Sequence, residues 1–318
     1  MSIGVIGAGA FGTALAVAWA KADRDVVLWG RDADAMAGMA KARTNPRLDG
    51  VALPNTLKVT DNIDSVFAQE TLVLAIPAQT LRGFLTDHKR ALQNHTLVAA
   101  CKGIDLTTMT GPTTTIIQII PSAQAAMLTG PSFAADIARG LPTALTLAAT
   151  GDAEALQATL ATQTLRIYRT QDTVGAELGG ALKNVIAIAC GVTIGAGLGE
   201  SARAALMTRG FAEMQRLAGQ LGADQTTLSG LAGFGDLALT CTSKGSRNYR
   251  LGLSLGSGTD FDPKTTVEGA STAKAVRALA TELDIDLPIC TVVADLIDQK
   301  TSVRAALDAL LSRPLKEE

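Results

Sequence analysis

The run "GVIGAGAFGTALA" near the start of this chain constrains its fold more than any other feature. It completes a short apolar stretch, "SIGVIG" at Ser2–Gly7, and leads into a helical pattern starting near Phe11. Gly7, Gly9 and Gly12 stand in the spacing G-x-G-x-x-G. The first glycine of such a turn permits its tightness, the second lets the backbone approach a pyrophosphate, and the third lets the helix pack on the strand. Phosphates then sit at the positive end of the helix, so Ala10 and Phe11 join the three glycines as expected dinucleotide contacts. A bare strand–helix turn is the competing reading. The pattern of the next 140 or so residues, strands in regular alternation with helices, argues against it.

Five more continuous apolar runs succeed the first: "VVLWG" (Val26–Gly30), "TLVLAIP" (Thr71–Pro77), "TLVAAC" (Thr96–Cys101), "AAMLTG" (Ala125–Gly130) and "TALTLAAT" (Thr143–Thr150). Helical segments separate them. Strands alternating with helices at this spacing imply a parallel sheet covered on both faces, an α/β doubly wound Rossmann-type domain over residues 1–175. Beyond about Asp172 the strand-like runs give way to apolar segments at helical spacing: Glu177–Ala189, Ser201–Leu221, Ala273–Leu283 and Ile289–Ile297. This predicts an all-α second domain over 176–318, with Leu255–Thr265 as a surface loop.

Composition narrows the function classes. The 28 basic and 30 acidic residues offer no basic surplus for nucleic acid and no charge block for a membrane surface. Cys101, Cys190, Cys241 and Cys290 are scattered without a CxxC pair, which points to a reducing compartment and no zinc. The two histidines, His88 and His95, lie in a polar stretch and give a metal site or a serine–histidine relay few candidates. No charged leader precedes the first strand, so the expectation is a cytoplasmic protein without a metal.

The stretch Gly179–Gly199, "GGALKNVIAIACGVTIGAGLG", carries one charge, Lys183, with Asn184 beside it. An ammonium in a dry interior costs at least several kcal/mol unless compensated. Lys183 and the glycines at 191, 195, 197 and 199 make the run a poor membrane span. Its helical neighbours Gly179, Gly180, Ile186 and Ala187 resemble a floor for a ligand more than a solvated face. Three other segments hold polar groups in similar settings. "ACKGID" puts Lys102 at the carboxyl end of a strand, the edge where open α/β sheets bind ligands. "GPSFAADIARGLPTA" puts Gly130, Pro131 and Ser132 at another strand end. "GLAGFGDLALTCTSKGSRN" puts Asp236 and Thr240 four apart on one helical face, followed by a loop with Ser246, Arg247 and Asn248. Each alone has an ordinary reading as a strand-end lysine, a helix cap or a solvated loop charge.

Together, in this order and over nearly the whole chain, "GAGAFGTALA", "CKGI", "GPSFAADIARGLPTA", "ELGGALKNVIAIACG", "RAALMTRGFAEM", "GLAGFGDLALTCTSKGSRN" and "VEGASTA" resemble the signature segments of one family. That family is the NAD(P)-dependent glycerol-3-phosphate dehydrogenases of the bacterial type. The resemblance implies hydride transfer between a nicotinamide and dihydroxyacetone phosphate, feeding glycerophospholipid synthesis. It implies Lys183 as the acid/base at the substrate's C2 oxygen and Lys102 as a contact to both cofactor and substrate. Gly130 and Ser132 match substrate contacts, and Ala134 a cofactor contact. Asp236, Ser246, Arg247 and Asn248 match the substrate pocket, which Thr240 joins, with Arg247 and Asn248 at the phosphate. Arg247 and Glu268 match cofactor contacts. A homodimer through the helical domain is likewise implied by the family alone. Asp236 is then the expected counter-ion of Lys183, with desolvation drawing the lysine's pKa down.

Phe11 stands where the family often has tryptophan, Ser201 where it often has asparagine, and "NPRLDGVALP" (Asn45–Pro54) lacks the frequent Tyr-Leu-Pro-Gly. A related 3-hydroxyacid dehydrogenase is the nearest alternative; it recognises a carboxylate, and Arg247 in "SRN" suits a phosphate dianion better. A non-catalytic dinucleotide-binding redox sensor is the alternative from another class. It has no need of Lys183 and Asp236, both present. For the cofactor, the second strand ends at Gly30, where NAD-specific folds commonly offer a carboxylate to the ribose, and Arg31 comes next. This favours NADP(H), with NAD(H) also possible, and makes Asp32 the start of the next helix.

Overall fold

All six apolar runs form strands, and two further strands join them in a single sheet. The computed structural model describes residues 2–263 and 265–312. The strands are β1 (Ser2–Ile6), β2 (Asp25–Trp29), β3 (Lys58–Thr60), β4 (Thr71–Leu74), β5 (Thr96–Ala99), β6 (Gln124–Thr129), β7 (Thr143–Ala149) and β8 (Leu165–Thr170). Their spatial order is β3-β2-β1-β4-β5-β6-β7-β8. The chain begins mid-sheet, runs outward to β3, and returns to pair β4 against the other side of β1. Strand order therefore reverses between β1 and β4, and open α/β sheets form their ligand crevice at such a point.

One expectation is corrected. The sheet is parallel except at β6 and β7, which pair antiparallel with Thr129 opposite Thr146. The helix between them has only six residues, roughly 9 Å long, too short to carry the chain back along a strand of roughly 20 Å.

The helices among the strands are α1 (Ala10–Lys21), α2 (Ala33–Ala42), α3 (Ile63–Phe67), α4 (Ala78–Asp87), α5 (Pro112–Ile119), α6 (Ala134–Arg139) and α7 (Glu154–Leu160). Helix α1 is buried from Gly12 to Ala20, and the Trp19 indole N–H donates to the Leu160 carbonyl at 2.8 Å, pinning the helix to the end of α7. Every element described after β8 is helical: α8 (Thr173–Gly195), α9 (Gly199–Gln220), α10 (Gln225–Ser229), a π-helical turn at Leu231–Gly235, α11 (Asp236–Thr242), α12 (Arg247–Ser257), α13 (Glu268–Glu282), α14 (Pro288–Ile297) and α15 (Val303–Leu311). Two local expectations shift here. Ser246 caps α12 by accepting from the Tyr249 N–H, so Arg247 and Asn248 sit in a first helical turn and not in a loop. Leu255–Ser257 complete α12, so the expected loop begins later; Lys264 lies outside the described residues.

Helix α8 is long and apolar enough to cross a membrane by composition, yet 89% of its apolar window is buried inside the protein. Its later glycines serve packing. A Cβ on Gly191 would lie 2.1 Å from the Tyr249 carbonyl, and one on Gly252 would lie 2.0 Å from the Ile188 carbonyl. Gly195 and Gly256 repeat the arrangement one turn on. The backbones of α8 and α12 touch along this seam.

Two buried glutamates on long helices perform a service no nearby residue supplies. Neither α5 nor α14, each with proline in its first turn, has a side-chain cap of its own. Glu177 of α8 accepts from the Thr113 N–H, and Glu213 of α9 accepts from Ile289 and Cys290 at 2.7 and 3.0 Å. Burial pushes the Glu177 carboxyl from 4.5 up to about 7, against the Thr113 hydrogen bonds. Over that range the folded chain keeps a proton that the unfolded chain has lost. Its contribution therefore favours folding at low pH and is lost as pH rises through about 7. Relative to Glu177→Gln, the wild type should lose on the order of 3 kcal/mol of stability between pH 5 and 8. Denaturant unfolding of both proteins at the two pH values checks this; parallel pH dependences would refute it.

Candidate active site

The carboxyl ends of β5 and β6 meet α8 and α11, and there the expected lysines and aspartate come together. Lys183, in the buried middle of α8, donates to Asp236 Oδ1 at 2.6 Å and to Thr240 Oγ1 at 2.8 Å. Asp236 and Thr240 lie one turn apart on α11, as the sequence spacing predicts, and their own hydrogen bond is 3.3 Å. The other carboxylate oxygen, Oδ2, accepts from Lys102 at 2.6 Å, and Lys102 also donates to the Gly130 carbonyl at 3.3 Å. One carboxylate thus holds two ammonium groups from opposite halves of the chain. Burial draws the Lys183 pKa from 10.5 to about 8; attraction to Asp236 opposes the shift and the charge of Lys102 adds to it.

Each ammonium has three N–H donors. Lys183 commits two, to Asp236 and Thr240, and Lys102 commits two, to Asp236 and Gly130. One donor on each remains uncommitted.

The expected floor of small residues is corrected. A Cβ on Gly179 would lie 2.5 Å from the Ala232 carbonyl, and one on Gly180 would lie 2.8 Å from Thr129 Oγ1 and 3.5 Å from the Lys102 stem. Protein atoms already cover that face. What the glycines provide is close approach: Lys102 lies against α8 itself and so reaches the same carboxylate as Lys183.

Around this cluster, the Ser132 hydroxyl donates to the Gly130 carbonyl at 3.1 Å. Gly130 has φ +137°, a conformation that L side chains rarely adopt. The nearby Phe133 ring lies 3.1 Å from where a Cβ on Gly245 would be, which seats the Gly130–Ala134 segment beside Ser246. Ala134 opens α6. Asn248 is held at both ends: its Nδ2 donates to Asn184 Oδ1 and its Oδ1 accepts from the Gly269 N–H, both at 2.9 Å. Asn184 and Gly269 thus position Asn248, a relation invisible in the sequence because the partners come from α8 and α13. Exposed Arg247 opens α12. Burial raises the Glu268 carboxyl, while the Ala78 N–H at 3.4 Å and the charges of Arg247 and Lys102 oppose the shift.

The turn at Gly7–Gly12 fits a dinucleotide. Gly7 has φ +119°, and a Cβ there would lie 2.5 Å from the Ala75 carbonyl beyond β4. A Cβ on Gly12 would lie 2.1 Å from the Gly7 carbonyl, whereas nothing lies within 4 Å of one on Gly9. The N-cap of α1 is Gly9, without a side-chain cap, so its first-turn N–H groups, including those of Ala10 and Phe11, present a positive end to the crevice. At the end of β2, Gly30 has no side chain; a Cβ there would meet the Met36 thioether and lie 3.1 Å from that of Ala8. Exposed Arg31 comes next, and Asp32 is engaged as the N-cap of α2, accepting from Ala35 at 3.0 Å.

Family profiles described as the N-terminus and the C-terminus of NAD-dependent glycerol-3-phosphate dehydrogenase match residues 2–155 and 172–308. The chain belongs to this family. Its relatives include glycerol-3-phosphate dehydrogenase [NAD(P)+] of Paracoccus denitrificans, 59% identical with all of both chains covered. The enzyme of the same name from a Ruegeria species is 57% identical over the same full extent. The crystal structure of glycerol-3-phosphate dehydrogenase from Coxiella burnetii superposes with a TM-score of 0.93, at 34% identity, covering 98% of this chain and 99% of that one. In this glycerol-3-phosphate dehydrogenase family member, strand alternation, glycine turn and lysine cluster therefore lie in one continuous homologous frame.

Proposed function

We propose that this chain is an oxidoreductase that interconverts dihydroxyacetone phosphate and sn-glycerol 3-phosphate with NAD(P)(H), and that Lys183 is its acid/base. The observation that carries the assignment is the gathering of Lys183 and Lys102 on Asp236, with one N–H of each left uncommitted. When bound, the nicotinamide supplies or accepts hydride at substrate C2. In the reductive direction the free Lys183 N–H hydrogen-bonds the C2 oxygen and gives it a proton as negative charge develops there. Asp236 and Thr240 fix the direction of that donor and stabilise the charged form against burial. The free N–H of Lys102 steadies the same end of the substrate beside Gly130 and Ser132. Arg247 and Asn248, in the first turn of α12 behind the Ser246 cap, hold the phosphate; a guanidinium pairs with its oxygens, and the helix N-terminus favours the dianion.

Gly7, Gly9, Ala10, Phe11 and Gly12 would hold the cofactor's pyrophosphate at the α1 N-terminus, and Lys102, Ala134, Arg247 and Glu268 would contact the cofactor as well. Preference for NADP(H) over NAD(H) is read from the strand end: Gly30 has no carboxylate to offer the ribose, Asp32 caps α2 through Oδ1, and exposed Arg31 can meet a 2′-phosphate. Residues 1–175 hold the cofactor and 176–318 supply the acid/base and phosphate anchor. A cytoplasmic homodimer that makes glycerol 3-phosphate for glycerophospholipid synthesis completes the reading, on family grounds.

The decisive assay monitors dihydroxyacetone phosphate reduction with NADPH and NADH, in the wild type and in Arg31→Ala. kcat/KM should favour NADPH, and the preference should fall about 10–100-fold in the variant, mostly through a raised KM for NADPH. No turnover with either cofactor would overturn the reaction. A wild type that prefers NADH, with the ratio unmoved by Arg31→Ala, would overturn the cofactor preference alone.

A further inference from the structure

The segment between α2 and β3, which includes the atypical Asn45–Pro54 stretch, is folded tightly on itself. Arg43, at φ +53°, turns the chain out of α2, and its guanidinium donates to the Pro54 carbonyl and to the Leu57 carbonyl at 3.0 Å. Thr44 and Ala52 form an antiparallel bridge. From this frame Asn45, only 3% exposed, reaches across to the glycine turn. Its Nδ2 donates to the Ala8 carbonyl at 3.2 Å and to Thr13 Oγ1 at 2.7 Å, while its Oδ1 accepts from the Arg47 N–H at 2.9 Å. Both amide hydrogens and the oxygen are used. No donor of Asn45 is left over for an anion.

We propose that Asn45 is a positioning residue that orders the pyrophosphate cradle by holding the Ala8 carbonyl away from it. The proposal rests on the dinucleotide reading of the Gly7–Gly12 turn. The Ala8–Gly9 peptide is a rigid trans plane, so its carbonyl and its N–H point in opposite directions. Fixing the Ala8 oxygen on Asn45 therefore fixes the direction of the Gly9 N–H. Gly9 otherwise has the widest conformational freedom of any residue type, and open space surrounds its missing side chain. If the plane rotates, an acceptor replaces a donor beside an anion. The second bond, to Thr13 in the next turn of α1, ties the same amide to the helix whose N-terminus meets the phosphates, so turn and helix are held as one unit. The consequence is preorganisation: the donor array exists before the cofactor arrives, and binding does not have to order it.

The test compares NADPH with 2′-AMP, which keeps the 2′-phosphate and adenosine but has no pyrophosphate, in calorimetric titrations of the wild type, Asn45→Ala and Asn45→Asp. Asn45→Asp retains the acceptor for Arg47 and replaces the donor facing Ala8 with an anion. Both variants should bind NADPH about tenfold more weakly, and 2′-AMP within about twofold of the wild type, because the adenosine end is unaltered. kcat at saturating NADPH should be unchanged. Amide exchange at Gly9 in the cofactor-free protein should be faster in the variants than in the wild type. Parallel weakening of both ligands, or unaltered NADPH affinity, would overturn the proposal. Should the Asn45 variants fail to fold, Thr13→Ala removes the partner of the second Nδ2 hydrogen and should weaken NADPH about threefold without affecting 2′-AMP; no such split overturns the proposal equally. A wild type that binds neither NADPH nor NADH would refute the dinucleotide reading itself.

Discussion

Lys183→Ala should fold, bind NADPH normally and lose about 10²–10⁴-fold in kcat. The expectation that it folds comes from charge counting within the cluster. In the wild type one carboxylate faces two ammonium groups; without Lys183, the Lys102–Asp236 pair at 2.6 Å remains, one charge of each sign. The expectation that it fails in catalysis comes from the uncommitted N–H, which nothing else at that position replaces. In the wild type, reduction should slow as pH rises through about 8, the value to which burial draws the lysine, because the proton to be given is then absent. Oxidation of glycerol 3-phosphate should instead quicken over the same range, since the neutral amine is the base. A Lys183→Ala enzyme that retained more than about a tenth of wild-type kcat would show that another group donates the proton.

Asp236→Asn should be the more damaging change to the protein as a whole. It leaves Lys183 and Lys102 facing one another with no anion between them, and removing one partner of a buried ion pair typically costs about 3–5 kcal/mol. The loss should depend on pH in a defined direction. Attraction to Asp236 is what opposes the depression of the Lys183 pKa; without it the pKa falls further below its unfolded value. The folded variant then binds fewer protons than the folded wild type, so the deficit is largest at low pH and shrinks as pH rises through about 8, the wild-type value. Unfolding at pH 6.5 and 9 measures this. The kinetic counterpart is a fall of at least about 10²-fold in kcat at neutral pH, with the limb of the reductive profile moved below 8. Wild-type stability at pH 6.5 would mean that Asp236 is not the counter-ion of the pair.

Much of this arrangement is legible in the sequence, for local reasons. Six strands declare themselves because strands buried on both faces are apolar throughout, and β4 is buried at all four of its positions. The two without such runs are edge strands: β3 has three residues, none buried, and β8 alternates, with Arg166 and Tyr168 turned outward. The pairing of Asp236 with Thr240 is given by helical spacing. The link between Asp236 and Lys102, 134 positions apart, is not. Nor is the commitment of Asn248 to Asn184 and Gly269, because amide side chains carry no signal of their partners along the chain. The glycines of α8 are the instructive case. Their smallness is plain in the sequence, but whether it makes room for a ligand or for another backbone depends on what stands opposite, and here that is α12, Ala232, Thr129 and Lys102.

The glycine seam between α8 and α12 has a metrological consequence. On the proposed assignment, the proton donor lies on one of these helices and the phosphate anchor begins the other. The interval between them is set where backbone meets backbone, with Gly191 against Tyr249 and Gly252 against Ile188. Side chains in a seam can repack around a longer or shorter partner; peptide planes in contact cannot, since interiors are close-packed and yield little. On that assignment, a ruler made of main chain sets the span from the oxygen to be protonated to the phosphate.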